Sequence, residues 1–353
     1  MAEVKVYYDT VGETLTVWFG DPSTSYICEE AGDDVILMKD REGAVIGFEK
    51  LNFSPGGPIA SQPSTSRRRS LAPKTVRIVD SQVHLWGPDT PARPWPPGRE
   101  TDAQRPYPIS KETLLLQMDQ AGVERVVLVP PSWEGDRNDL ALEAAAAYPD
   151  RFGVMGRLSL TDPASRDQVA SWRDQTGMLG MRFAFHNRHY RHMLTDGSAD
   201  WLWPAAEATG IPLMVLVPGH LEVLDRIATK HPGLRLVIDH VGVSLRPNDS
   251  SVWDELPAVC ALARHPNVAV KASGLPHWSG EAYPFADLRG HLRQLFDAFG
   301  PRRMFWGTDL TRMPCTYYEC IHMFTEHLPW LRGDDLEWVM GRGVCEWLGW
   351  GNG

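Results

Sequence analysis

Along the chain, apolar and polar positions follow two different rhythms. Up to residue 53 short alternating runs dominate. Val4-Lys5-Val6-Tyr7-Tyr8 and Thr14-Leu15-Thr16-Val17-Trp18-Phe19 flank a Gly12-Glu13 turn, and Val35–Asp40 and Ala44–Glu49 flank Arg41-Glu42-Gly43. This period of two, broken by turn residues, predicts two hairpins and a small, mostly-β domain over 1–53. Residues 54–75 are rich in Pro, Gly and Ser, have little apolar surface to bury, and read as a flexible linker.

From residue 76 the rhythm changes. Continuous apolar runs at 76–80, 125–130, 153–158, 179–184, 212–217, 234–239, 267–272 and 303–307 predict eight strands buried on both faces. Helical patterns separate them. Lys111–Ala121 stops at Gly122, Leu140–Ala147 before Tyr148-Pro149, Leu221–Lys230 before His231-Pro232-Gly233, and Phe285–Phe299 at Gly300. Such Gly and Pro stops are C-terminal helix signals. Eight strands alternating with helices predict a (β/α)₈ TIM barrel over 76–353, so the fold class is α/β with a small N-terminal β domain.

Composition narrows the function. The charge of −10 is concentrated at the front, where residues 1–60 hold 4 basic and 11 acidic side chains. This argues against nucleic-acid binding, and Arg67-Arg68-Arg69 in the linker reads as solvated. No apolar run approaches the ~18 residues of a membrane span. The start of the chain lacks a signal-peptide layout, and five scattered cysteines without a Cys-x-x-Cys read as reduced thiols. The expected setting is the cytoplasm and the expected partner a small-molecule substrate, with homodimerisation left open.

Barrel active sites lie where the strands end. Those ends offer Gln82 and His84; Ser132 and Trp133; Arg182 and His186; Asp239 and His240; Lys271, Ser273 and His277; and Asp309, followed by Arg312. Strand 5 offers nothing ionisable. Trp86, Trp133 and Trp278 each follow a strand, which suggests an aromatic-walled pocket.

These motifs carry a resemblance. Asp80-Ser81-Gln82-Val83-His84-Leu85-Trp86, Met118–Arg125, Asp239-His240-Val241-Gly242, Asn267–Leu275 and Gly307-Thr308-Asp309 together resemble the amidohydrolase superfamily, in its amidohydrolase-2 branch. That branch contains lactone hydrolases, the pyrone-dicarboxylate lactonase type and nonoxidative decarboxylases. The front segment resembles a small bacterial domain of unknown function, through Tyr8-Asp9, Leu15, Gly32–Leu37, Asp40-x-x-Gly43 and Val45–Glu49.

The resemblance implies a hydrolase in which Asp309 activates water while His84 and His240 stabilise the oxyanion. Two departures qualify it. Gln82 stands where the first His of a His-x-His metal pincer belongs, and strand 5 lacks its His. A metal-free site is therefore favoured; the alternative is one zinc or manganese on His84, His240 and Asp309. Without metal an ordinary carboxylate of pKa ~3.9 is a weak base, which favours a lactone or activated ester of an aromatic or unsaturated acid over an amide. Gln82, Trp86, Trp133, Arg182, His186, Lys271, His277, Trp278 and Arg312 are candidate substrate contacts. Lys271 and Arg182 could instead be ion-pair partners, and the His186–His192 run a lid. A nonoxidative decarboxylase, a barrel recruited for cyclisation or rearrangement, and a binding protein remain the rival readings.

Overall fold

A computed structural model describes residues 4–9, 14–32, 34–51, 53, 76–105, 107–186, 190–246 and 249–351. The expected Gly12-Glu13 turn, the 54–75 linker and His189 lie outside these residues. The chain divides into two compact units, Met1–Pro73 and Lys74–Gly353.

The first unit is a five-stranded antiparallel sheet of β1 (Lys5–Asp9), β2 (Thr14–Trp18), β3 (Ile27–Gly32), β4 (Val35–Lys39) and β5 (Val45–Lys50), in the order β1-β2-β5-β4-β3. The two expected hairpins are joined through β2 and β5. The β4–β5 turn is built by Asp40, whose carboxylate accepts the N–H groups of Glu42 and Ala44 (3.1 and 2.8 Å), and Gly43 takes the positive φ that the turn needs. Strand β3 carries adjacent acids, which hide it from a propensity reading; it forms by pairing with β4 around a bulge at Glu30–Gly32.

The second unit contains β6 (Val79–Val83), β7 (Arg125–Leu128), β8 (Phe152–Gly156), β9 (Met178–Ala184), β10 (Leu213–Leu216), β11 (Leu236–Ile238), β12 (Val268–Ala272) and β13 (Met304–Trp306). All pair in parallel in sequence order, and every residue in them is buried. Helices fall between them as the pattern predicts. Lys111–Ala121 starts at Ser110, whose hydroxyl accepts the Thr113 N–H, and ends at left-handed Gly122. The helix expected from Phe285 begins only at Arg289, because Phe285 is itself left-handed and residues 286–288 form a tighter turn.

The strand pleat divides the core. Val79, Val127, Met155, Met214, Val237, Ala269 and Phe305 fill the barrel, with Val344, Cys345 and Leu348 in the same cluster; the alternate positions pack outward against the helices. Two residues further along β12 from Ala269 is Lys271, and two beyond Val237 is Asp239, so both continue the inward row toward the rim.

The ring closes through side chains. Between β13 and β6, Asp80 accepts the Thr308 N–H (2.9 Å) and hydroxyl (2.5 Å), and the Asp309 N–H donates to the Gln82 carbonyl (2.9 Å). Gly307 permits this approach, since a Cβ there would lie 2.4 Å from Ser81 Oγ. A bulge between Asp80 and Val83 shifts β6 against β7 and carries the strand to residue 83, three residues past its expected end.

Candidate active site

The ends of β6, β11 and β13 bring His84, His240 and Asp309 together. His84 Nε2 lies 3.1 Å from Asp309 Oδ1, and His240 Nε2 lies 3.9 Å from Asp309 Oδ2. All three are buried, yet they line a cavity of about 390 Å³. The backbone is bent to place them: His240, Val241 and Asp309 all have φ between 51° and 59°. For non-glycine residues, and most of all for a β-branched valine, this conformation costs energy, and such strain collects at functional sites.

Hydrogen bonds fix the imidazoles. His84 Nδ1 is 2.5 Å from the Val129 carbonyl, which can only accept, so Nδ1 carries a proton. The Gln82 amide nitrogen, 3.4 Å from Nε2, presents a donor to that atom. On its other side Nε2 faces the buried Asp309 Oδ1 at 3.1 Å. His240 Nδ1 sits 3.0 Å from the Ser273 hydroxyl. When that hydroxyl donates, Nε2–H points at the cavity.

A second layer lies beneath. Lys271 Nζ contacts Asp239 Oδ1 at 2.6 Å and Gln82 Oε1 at 2.5 Å, and Arg182 Nε donates to Asp239 Oδ2 at 2.8 Å. Burial pushes the Asp239 carboxyl upward, but the Lys271 and Arg182 charges prevail and hold it at about 2. Burial, helped by the Lys271 and Arg182 charges, lowers His240 to about 3, despite the attraction of Asp309 and Asp239. Asp309 also resists its burial: His84, His240 and Arg312, whose Nε is 3.1 Å from Oδ2, keep it well below the usual carboxylate range. His186 is exposed at the cavity, where partial desolvation and the nearby Arg182 and Arg312 charges lower its pKa.

Of the residues expected to touch substrate, Trp133, Arg182, His186 and Arg312 line the cavity together with Ser132. Gln82 and Lys271 do not; they are wholly buried beneath it. Trp86 stands behind Trp133, edge-on at 5.4 Å, and Trp278 packs on Trp253 and donates to the Ser244 carbonyl (3.0 Å). His277 belongs to the same turn and is also outside the lining. The expected wall of three tryptophans thus reduces to one, because the ends of β6 and β12 turn their indoles into packing. His192 is exposed, 3.8 Å from Asp196.

Arg99, Asp102 and Gln104 complete the wall and were not anticipated. They belong to the long segment between β6 and the Lys111 helix. Its length after a barrel strand was the available signal, since extended loops at this rim carry function. Arg99 Nη1 donates to Asp102 at 2.7 Å.

Around the reacting atoms, then, Lys271, Arg182 and Arg312 provide three positive charges against the two of Asp239 and Asp309, a surplus of one. A divalent metal on His84, His240 and Asp309 meets opposition here. The opposition comes from that surplus and from the Gln82 N–H facing His84, so the donor set does not fit the ion. Among the described residues, no group of three or more His, Cys, Asp or Glu is arranged to hold one.

Comparison with known proteins places the chain. The amidohydrolase family model matches residues 79–339, and a model for a protein of unknown function matches residues 5–54. The chain belongs to the amidohydrolase family and is a hydrolase. It is 30% identical over 239 residues to L-fucono-1,5-lactonase of Burkholderia ambifaria, covering 65% of this chain and 79% of that protein. It is 28% identical over 269 residues to 4-sulfomuconolactone hydrolase of Rhizobium radiobacter, covering 72% and 84%. An amidohydrolase from Burkholderia multivorans, solved with bound zinc, superposes with a TM-score of 0.64 at 22% identity, over 77% of this chain and 99% of that one.

Proposed function

We propose that the protein opens a lactone bearing an anionic substituent, with water activated by Asp309 and no metal taking part. The observation that carries this reading is the buried Asp309 carboxylate at the cavity, with His84 Nε2 3.1 Å from Oδ1 and His240 Nε2 3.9 Å from Oδ2. A water in the cavity donates one hydrogen to Asp309 and turns a lone pair toward the substrate carbonyl.

The reaction follows from that placement. The water oxygen forms a bond to the lactone carbonyl carbon as its proton passes to Asp309. Charge develops on the carbonyl oxygen, where His240 Nε2–H and the positive surplus of the site stabilise it. Collapse breaks the bond to the ring oxygen, which receives the proton, and a hydroxy acid leaves. The strong depression of Asp309 makes it a poor proton acceptor, so the carbonyl must be reactive and the leaving oxygen good. Lactones meet that condition better than amides. Both curated relatives are named as lactone hydrolases, which supports the reading.

Arg182 and Arg312 favour an anionic substituent, because guanidinium forks match carboxylate or sulfonate oxygens. A pH-indicator assay over lactones with and without a carboxylate tests this. Ring opening is expected for the charged members, and Asp309→Asn is expected to lower kcat by about 10³-fold. No ring opening by the wild type, or full turnover by the variant, overturns the reading.

A further inference from the structure

The catalytic centre contains a cation of its own. Lys271 on β12 is fully enclosed, and an ammonium has three N–H donors and no lone pair. Three acceptors surround it: Asp239 Oδ1 at 2.6 Å, Gln82 Oε1 at 2.5 Å and Met214 Sδ at 3.3 Å. They come from β6, β10 and the end of β11, and each of these side chains is wholly buried. Four strands therefore converge on one nitrogen inside the barrel.

That nitrogen dictates the orientation of its neighbour. Lys271 can only donate, so the Gln82 amide must turn its oxygen inward. Its NH₂ is left facing His84 Nε2 at 3.4 Å. An ion seated on His84 would meet those hydrogens where a first metal ligand should offer a lone pair. It would also add two charges to a buried site that already holds a surplus of one, and uncompensated charge is costly there.

We propose that the Lys271 ammonium takes the place of a divalent metal in this barrel. Acting through Gln82, it fixes the amide that faces His84, and its charge is matched by Asp239. Lys271 is thus a positioning residue, and the absence of the pincer histidine and the presence of the lysine are two parts of one arrangement. This inference adds to the lactonase reading without resting on it, because its readout is metal content and not turnover.

The test compares zinc content after equilibration with zinc chloride and gel filtration in wild type, Gln82→His, Lys271→Met and the Gln82→His/Lys271→Met double variant. Wild type and Gln82→His are expected to retain under about 0.1 equivalent, and the double variant about one. Lys271→Met alone, with the amide free to turn, is expected to fall between. A full equivalent on wild type or on Gln82→His overturns the proposal, and so does a folded double variant that binds none. If the double variant does not fold, cobalt(II) added to wild type decides the matter. No visible d–d absorption is expected, and the intense bands of a tetrahedral site would overturn the proposal.

Discussion

The candidate site has a back and a front, and the two are built on opposite terms. At the back, Lys271, Asp239, Gln82 and Arg182 form a packed network in which an ammonium meets three acceptors and Asp239 faces two cations. At the front, Asp309 Oδ1 and Trp133 Nε1 are buried without hydrogen-bond partners, and His240 and Asp309 sit on a strained backbone. Buried polar groups are normally paired. Asp309 and Trp133 line the cavity, where a substrate or water can complete them. Stability is therefore concentrated behind the cavity, and chemistry in the layer that stays incomplete.

Substitutions should separate the two layers. The largest expected effect is the turnover loss of Asp309→Asn described above, and this loss should leave the unfolding free energy within about 1 kcal/mol of wild type, measured by urea denaturation. An equal loss of stability would erase the contrast. Asp239→Ala should do the reverse, because it leaves Lys271 and Arg182 facing each other unpaired; the expected cost is about 3–5 kcal/mol. Arg312→Gln at the front should raise KM for a carboxylated lactone about 10–100-fold with little change in stability, the range set by one charge-assisted contact.

A pH series sharpens the comparison further. Burial, with the nearby Lys271 and Arg182 charges, lowers the His240 imidazole to about 3, against 6.5 in the unfolded chain. Between those values the unfolded chain binds more protons, so stability must fall as pH drops from about 6.5 toward 3. His240→Gln should reduce that slope by up to about 1.4 kcal/mol per pH unit, and an unchanged slope would mean His240 is not buried neutral. The smallest expected effect is at the closure of the ring. Thr308→Val removes one of the bonds that hold Asp80, which burial already raises to about 6, and should cost about 1–2 kcal/mol.

Much of this organisation could be read from the sequence. Strands β8, β10, β11 and β13 are apolar throughout, and their pattern admits little else. His84, His240 and Asp309 sit at strand ends, and a closed parallel barrel gathers such ends at one rim. The layer to which each neighbouring side chain belongs could not be read. Lys271 and Arg182 are both cations on barrel strands, yet one is sealed in the interior and the other reaches the cavity. Trp86 and Trp133 follow strands in the same manner, but only one indole faces the substrate space. Arg99, Asp102 and Gln104 stand in a segment with no periodicity to locate them.

By itself, then, the sequence determined the alternation of strand and helix, the ring it must close into, and the three residues that meet at its rim. These follow from backbone periodicity and strand direction, which are local properties. Tertiary structure alone decided that Gln82 turns its amide oxygen to an ammonium, that Lys271 lies behind the cavity and not in its lining, and that Asp309 keeps one oxygen without an aligned donor. Those outcomes depend on which side chains from distant strands share a few ångströms of space, and on how their charges balance once water is gone.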